Sequence, residues 1–150
     1  MSFTSEKDYL GSFLAIVCGF VLIASQLLPL PIMAEETLQS LFETALEKSS
    51  KGDCLAALKD WEKFLEISPR DPAAISNRGN CLLLLGDAEG AIDAQSEALE
   101  LLPFNQDAHL NRGIAEEALH QWDDAENDYL WILERNPDES SALYNLGNVK

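Results

Sequence analysis

The stretch "SNRGN" at 76–80 returns in altered form as "LNRGI" at 110–114 and again as "YNLGN" at 144–148. Each copy lies 34 residues after the last and holds Asn-x-Gly in the same register. A motif that recurs at a fixed interval of this length marks a structural repeat, and that possibility has to be settled before any local structure is assigned.

Laying 38–71, 72–105 and 106–139 over one another gives matching columns, and 140–150 opens a fourth, partial copy. Position 8 reads Ala45, Gly79, Gly113 and Gly147, and position 20 reads Ala57, Ala91 and Ala125. Position 28 is Leu65, Leu99 and Leu133, and position 32 is Pro69, Pro103 and Pro137. Position 24 is aromatic in Trp61 and Tyr129, with Gln95 between them. The columns predict two helices per copy, near 72–85 and 88–101 in the second, joined by the turn "GDAEG". Small residues at positions 8 and 20 let the two helices approach closely. Large residues at positions 24, 27 and 28 fill the space towards the next helix. Each proline ends a helix, because it lacks the amide proton that the next turn needs. One hairpin cannot bury its apolar face alone, so the units are expected to stack into an all-α solenoid.

Spacing and columns together resemble the tetratricopeptide repeat (TPR) over about 38–150, giving three full repeats and the first helix of a fourth. The first copy departs from the others in having Glu43 where they have Asn, and His120 stands at a turn position that Gly takes elsewhere. The stretches "SLFETALEKSSKGD", "SNRGNCLLLLGDAEGAI", "HLNRGIAEEAL" and "DYLWILERNPDESSALYNLGNV" are similar to thylakoid-associated TPR proteins of chloroplasts and cyanobacteria. That resemblance implies the thylakoid lumen or membrane, or a bacterial periplasm, as the setting. No long Ser/Arg-rich transit peptide precedes residue 10, which fits a cyanobacterial or plastid-encoded protein, or an altered N-terminus, better than an imported one.

Residues 1–34 read as a separate segment from the repeat region at 35–150. No charge occurs from Tyr9 to Ala34, and "FLAIVCGFVLIA" (13–24) is a continuous apolar run. A signal peptide would use that run as its core, with Ile32-Met33-Ala34 offering a small residue before a cut. A membrane anchor would use a hydrophobic helix within 10–33, since Phe13–Met33 is long enough for a ~30 Å hydrocarbon core. The flank "MSFTSEKDYLG" is a poor n-region for a signal, because Glu6 and Asp8 offset Lys7. Either way, this segment is expected to meet a membrane.

The 150 residues carry ten Lys+Arg against 26 Asp+Glu, a formal charge of −16. Phosphate backbones require clustered cations, so nucleic acid is not expected as a partner. Cys18, Cys54 and Cys81 lack metal-ligand spacing, and Cys54 and Cys81 read as small core residues, or as a disulfide if the compartment is oxidising. There is no phosphate loop, nucleophile elbow or His-carboxylate cluster at ligand spacing. His109 falls in an apolar column (Leu41, Ile75, Leu143) and His120 in a turn. Neither catalysis nor a cofactor, metal or small-molecule substrate is expected.

Binding is what the TPR resemblance implies, with the first helices lining the concave face. Position 6 there carries Asn77, Asn111 and Asn145, and position 9 adds Asn80 and Asn148. A carboxamide both donates and accepts, so it can pair with a peptide bond whatever the neighbouring side chain. The pattern resembles the asparagine ladder in the TPR superhelix of O-linked N-acetylglucosamine transferase and implies a peptide-binding groove. Asparagines that simply pair with their neighbours would give the same pattern. The clamp that co-chaperone TPRs place around an acidic C-terminal tail matches only at Asn80 and Asn111. Its cationic places hold Ser76, Ser141 and Asn145, so an acidic tail is not expected to bind.

On the second helix, positions 25 and 26 are Glu62-Lys63 and Ser96-Glu97, but Leu130-Trp131 in the third copy. A site that is polar twice and Trp once is not shared core, so Leu130 and Trp131 are assigned as a convex contact for a partner or for further repeats. The expected function is a non-catalytic interaction scaffold at or across a membrane that aids complex assembly by binding a protein or peptide. The alternatives are the adaptor portion of a larger enzyme, or a self-associating structural protein.

Overall fold

The structure is a computed structural model that describes the backbone of residues 30–149, with side chains from Thr37 onward. The chain divides into one unit at Met1–Thr37 and a second at Leu38–Lys150, and the second holds the repeats. The apolar run 13–24, Cys18 and most of the expected signal or anchor lie outside the described residues. No helix among the described residues is long and apolar enough to cross a membrane.

Seven α-helices and no strand occur among the described residues. They are α1 (Leu30–Ser50), α2 (Cys54–Ile67), α3 (Pro72–Leu84), α4 (Ala88–Leu101), α5 (Gln106–Ala118), α6 (Trp122–Leu133) and α7 (Ser140–Val149). Each packs on the next in chain order from α2 onward, and α3 also meets α5, as α5 meets α7. First helices therefore lie beside first helices, as in the solenoid expected from the columns. The helix α1 is described from Leu30, well before the repeat boundary at 38.

Local chemistry sets the helix ends. Asp53, Asp71, Asp87 and Asn105 each accept a bond from the backbone N–H three residues on, capping α2 to α5. Gln121, before α6, makes no side-chain cap. The three hairpin turns close identically: the N–H groups of Asp53, Asp87 and Gln121 reach back to the carbonyls of Lys48, Leu82 and Glu116. This closure needs a left-handed residue just before, which Gly52 (φ 78°) and Gly86 (φ 87°) provide without strain. The third turn uses His120 at φ 59°, a conformation in which Cβ crowds the backbone.

The small columns work as expected from their size. Ala45, Ala57, Ala91 and Ala125 are fully buried. A Cβ added to Gly113 would lie 2.6 Å from the Tyr129 ring, and one added to Gly79 would lie 2.8 Å from Gln95 Nε2. Gly147 meets nothing within 4 Å. At position 24, Trp61, Gln95 and Tyr129 are all completely buried and all bond back to the first helix of their own hairpin. Trp61 Nε1 donates to Ser49 Oγ (3.0 Å) and the Tyr129 hydroxyl donates to Glu117 (3.1 Å), both acceptors at position 12. Position 12 of the second copy is Leu83, so Gln95 turns elsewhere. It accepts from Ser76 Oγ at 2.8 Å and donates to the Ser76 carbonyl (3.0 Å) and Asn80 Oδ1 (2.7 Å). A buried amide with three partners satisfies the requirement that interior polar groups be paired.

The apolar core is divided. Its larger part runs through α1 to α4, where Trp61 packs edge-on against Phe42 and Phe64 beside Leu65 and Ile75. A second part lies between α6 and α7 around Tyr129, Ile132 and Ala142. A third, smaller part gathers Ala88, Ala91 and Ala115 with Leu82, Leu83, Ile92 and Leu119, and Leu99 on α4 and Ala108 on α5 are buried as well. Cys54 and Cys81 are buried and free, not a disulfide, and burial pushes the Cys54 thiol up to about 11.

Candidate functional site

The first helices place the asparagines. Along α3, positions 77, 80 and 84 follow a three- and four-residue spacing and so share one face. The same holds for 111, 114 and 118 on α5, and for 145 and 148 on α7. Ile75 and Gly79 on α3 and His109, Gly113 and Glu116 on α5 are buried on other faces, whereas the buried Ala74 and Cys81 flank Asn77 and the buried Ala108 and Ala115 flank Asn111. Asn77 and Asn111 thus stand at the edge of the packed surface, half-buried.

The five asparagines are not equivalent. Asn77 is half-buried, and its Nδ2 donates to the Ala73 carbonyl at 2.9 Å, within its own helix. Asn80 holds Gln95 through its Oδ1, so it belongs to the polar core of the second repeat. Asn111 and Asn145, half-buried, and Asn148, exposed, make no side-chain hydrogen bond with any described residue. Ile114 shares the face of Asn111, and Leu84 and Tyr144 are exposed.

Trp131 does not stand free. Its indole stacks on the His109 imidazole at 3.7 Å and 21°, and the Arg135 guanidinium lies 3.9 Å from its ring centroid. The side chain is half-buried, whereas Leu130 beside it stays 39% exposed. His109 is a hydrogen-bonded packing residue, with Nδ1 at 2.7 Å from Asp128 Oδ1 and Nε2 at 3.3 Å from the Pro103 carbonyl.

A charged cluster under Trp131 was not legible from spacing. Asp128 and Glu116 are both buried, and Arg112 reaches both. Burial works against ionisation of Asp128, but the bonds from Arg112 and His109 outweigh it and hold the carboxyl below its usual range. Glu116 has no such support. Burial and then the Asp128 charge push it up to about 7 against the pull of Arg112 3.7 Å away, and its Oε2 has no hydrogen-bond partner. The equivalent arginine one repeat earlier, Arg78 on α3, bonds instead to Glu97 at 3.3 Å. No group of three or more potential metal ligands occurs among the described residues.

Solved structures share this arrangement of helices. The first TPR of Spaghetti (RPAP3), bound to an HSP90 peptide, is 24% identical with a TM-score of 0.72, over 76% of this chain and 90% of that one. The Arabidopsis OM64 TPR domain is 19% identical with a TM-score of 0.73, over 77% and 95%. MamA protein matches at 19% identity and a TM-score of 0.72, over 78% of this chain and 64% of its own. At these identities the likeness is one of fold. The sequence profile of the tetratricopeptide repeat matches residues 42–106 and 110–149, which is most of the chain. Together with the hairpins and their columns, that match places this protein in the tetratricopeptide repeat family.

Proposed function

We propose that the protein is a non-catalytic scaffold that holds an extended polypeptide segment against the asparagine face of α3, α5 and α7. The observation that carries this reading is the pair Asn111 and Asn145, in equivalent places one repeat apart and without internal hydrogen bonds. Partly buried carboxamides with open donors and acceptors match the groups of a peptide backbone. Asn77 and Asn80, spent on Ala73 and Gln95, form the wall of the surface more than its grip. Ser76 is buried on Gln95. With no cation in that place, an uncharged or basic segment suits the surface better than an acidic tail.

The test is a peptide-display selection on the purified protein, followed by anisotropy titration of the selected sequences. Asn111→Ala with Asn145→Ala should weaken them at least about tenfold, the loss of two or so net hydrogen bonds. Helical circular dichroism should not change. Unaltered affinity would remove the reading.

The uncharged run from Tyr9 to Ala34 supports action at or beyond a membrane, aiding assembly of a complex there. Sequencing the N-terminus of the mature protein after membrane fractionation separates a removed leader from a retained anchor.

A further inference from the structure

A surface pocket of about 410 Å³ opens where α4, α5 and α6 meet, lined by Leu99, Glu100 and Pro103, by His109 and Arg112, and by Trp131. Its origin is visible by comparison with the preceding repeat. There Arg78 reaches Glu97, the residue equivalent to Trp131, and the ion pair spans the corresponding place. In the third repeat Asp128 replaces the equivalent Ala94 and takes Arg112 through bonds of 2.7 Å from both Nε and Nη2. Position 26 is thereby released from the arginine. Trp131 fills it by leaning on His109, which replaces Ile75, and the space no longer crossed by an ion pair is the pocket.

The lining indicates the occupant. Leu99, Pro103 and Trp131 give apolar walls, and Phe104, 80% exposed, extends them, with its ring 6.4 Å from Trp131. The local cations are spent: Arg112 on Asp128 and Ser96, Arg135 over Trp131. Glu100 lies in the lining, exposed, and has no ion-pair partner among the described residues. In a chain of charge −16, an apolar site edged by an unpaired carboxylate favours a ligand that is apolar at its tip and cationic beside it. We propose that this pocket anchors a partner protein through a large apolar side chain followed by Arg or Lys, at a second site independent of the asparagine face.

The test uses the full ¹⁵N-labelled chain titrated with the blocked dipeptide Ac-Phe-Arg-NH2 while the indole N–H signal of Trp131 is followed. Ac-Phe-Glu-NH2 and Ac-Gly-Arg-NH2 are the controls. A saturable shift with Phe-Arg at millimolar peptide, at least about fivefold tighter than with either control, supports the proposal. Trp131→Ala should abolish the accompanying peptide-induced shifts of the Leu99 and Phe104 backbone amides. Glu100→Gln, on the exposed surface, should keep the fold and erase the preference for Arg over Glu. The Asn111→Ala and Asn145→Ala variant should bind the dipeptide as before, which separates this site from the asparagine face. Equal response to all three dipeptides, or no saturable shift, overturns the proposal. So does a Trp131 signal that moves on dilution without peptide, because a second copy would then be the occupant.

Discussion

Asp128 receives two hydrogen bonds from Arg112, through Nε and Nη2 at 2.7 Å each, and so ties α6 to α5 inside one hairpin. The fork geometry is that of a bidentate ion pair, and His109 completes the carboxylate from another side. Removing one partner of such a pair costs more than the pair itself contributes, because the charge left behind stays buried. Asp128→Ala is expected to cost about 2–4 kcal/mol in urea unfolding, towards the low end because Arg112 reaches water. Adding Arg112→Met should restore a good part of it. A single variant within about 0.5 kcal/mol of the parent would contradict this account.

The glycine column makes an internal control. Gly113→Ala drives a methyl into the Tyr129 ring and is expected to cost about 1–3 kcal/mol. Gly147→Ala meets open space on a helix and should stabilise by about 0.5–1 kcal/mol, through the conformational entropy that Gly loses on folding. Thermal melts of the two variants should move in opposite directions.

His120 holds a left-handed backbone that its counterparts Gly52 and Gly86 adopt freely. His120→Gly removes that crowding but frees the unfolded chain, for a net gain of about 0.5–1 kcal/mol. The ring contact with Trp122 at 5.1 Å is lost as well, so a lowered melting temperature would mean that this contact outweighs the strain.

Glu116 gives stability a pH dependence of definite sign. Its carboxyl is raised from the usual 4.5 to about 7 in the folded protein, so between those values the folded state binds more protons than the unfolded one. Stability from this group is therefore complete below about pH 4.5 and declines as pH rises through 7. Asp128, held low, acts in the opposite sense and only at more acidic pH. Glu116→Gln should flatten the pH 5–7 part of the stability profile and raise the melting temperature at pH 8. A profile with an unchanged slope would show that Glu116 is ionised in the folded protein throughout.

The period, the hairpins and their close approach were legible because backbone geometry dictates them. Ala57, Ala91 and Ala125 must be small, and Pro69, Pro103 and Pro137 must fall between helices. The exceptions to the columns were visible too, as Gln95, His109 and His120. What filled them was not, since it depends on rotamers across two helices. Nothing in the spacing says that Gln95 turns to Ser76 and Asn80 because Leu83 offers no acceptor. Asp128 is hidden among the acids of "WDDAENDYL" until the fold sets it beside Arg112. Trp131, read as facing outward, proved to be half-covered by His109 and Arg135 for the same reason.

The divided core has a mechanical consequence. In a stacked array cooperativity passes only between neighbours. The junction of the second and third repeats offers Leu99, alanine methyls, the Arg112–Ser96 bond and the contact of His109 with the Pro103 carbonyl, where the preceding junction offers the larger Trp61 and Phe64 with Ile75. Under tension or mild denaturant the array should part along this seam into two blocks. The amide protons of α2 and α3 would then outlast those of α5 to α7 by a distinct step.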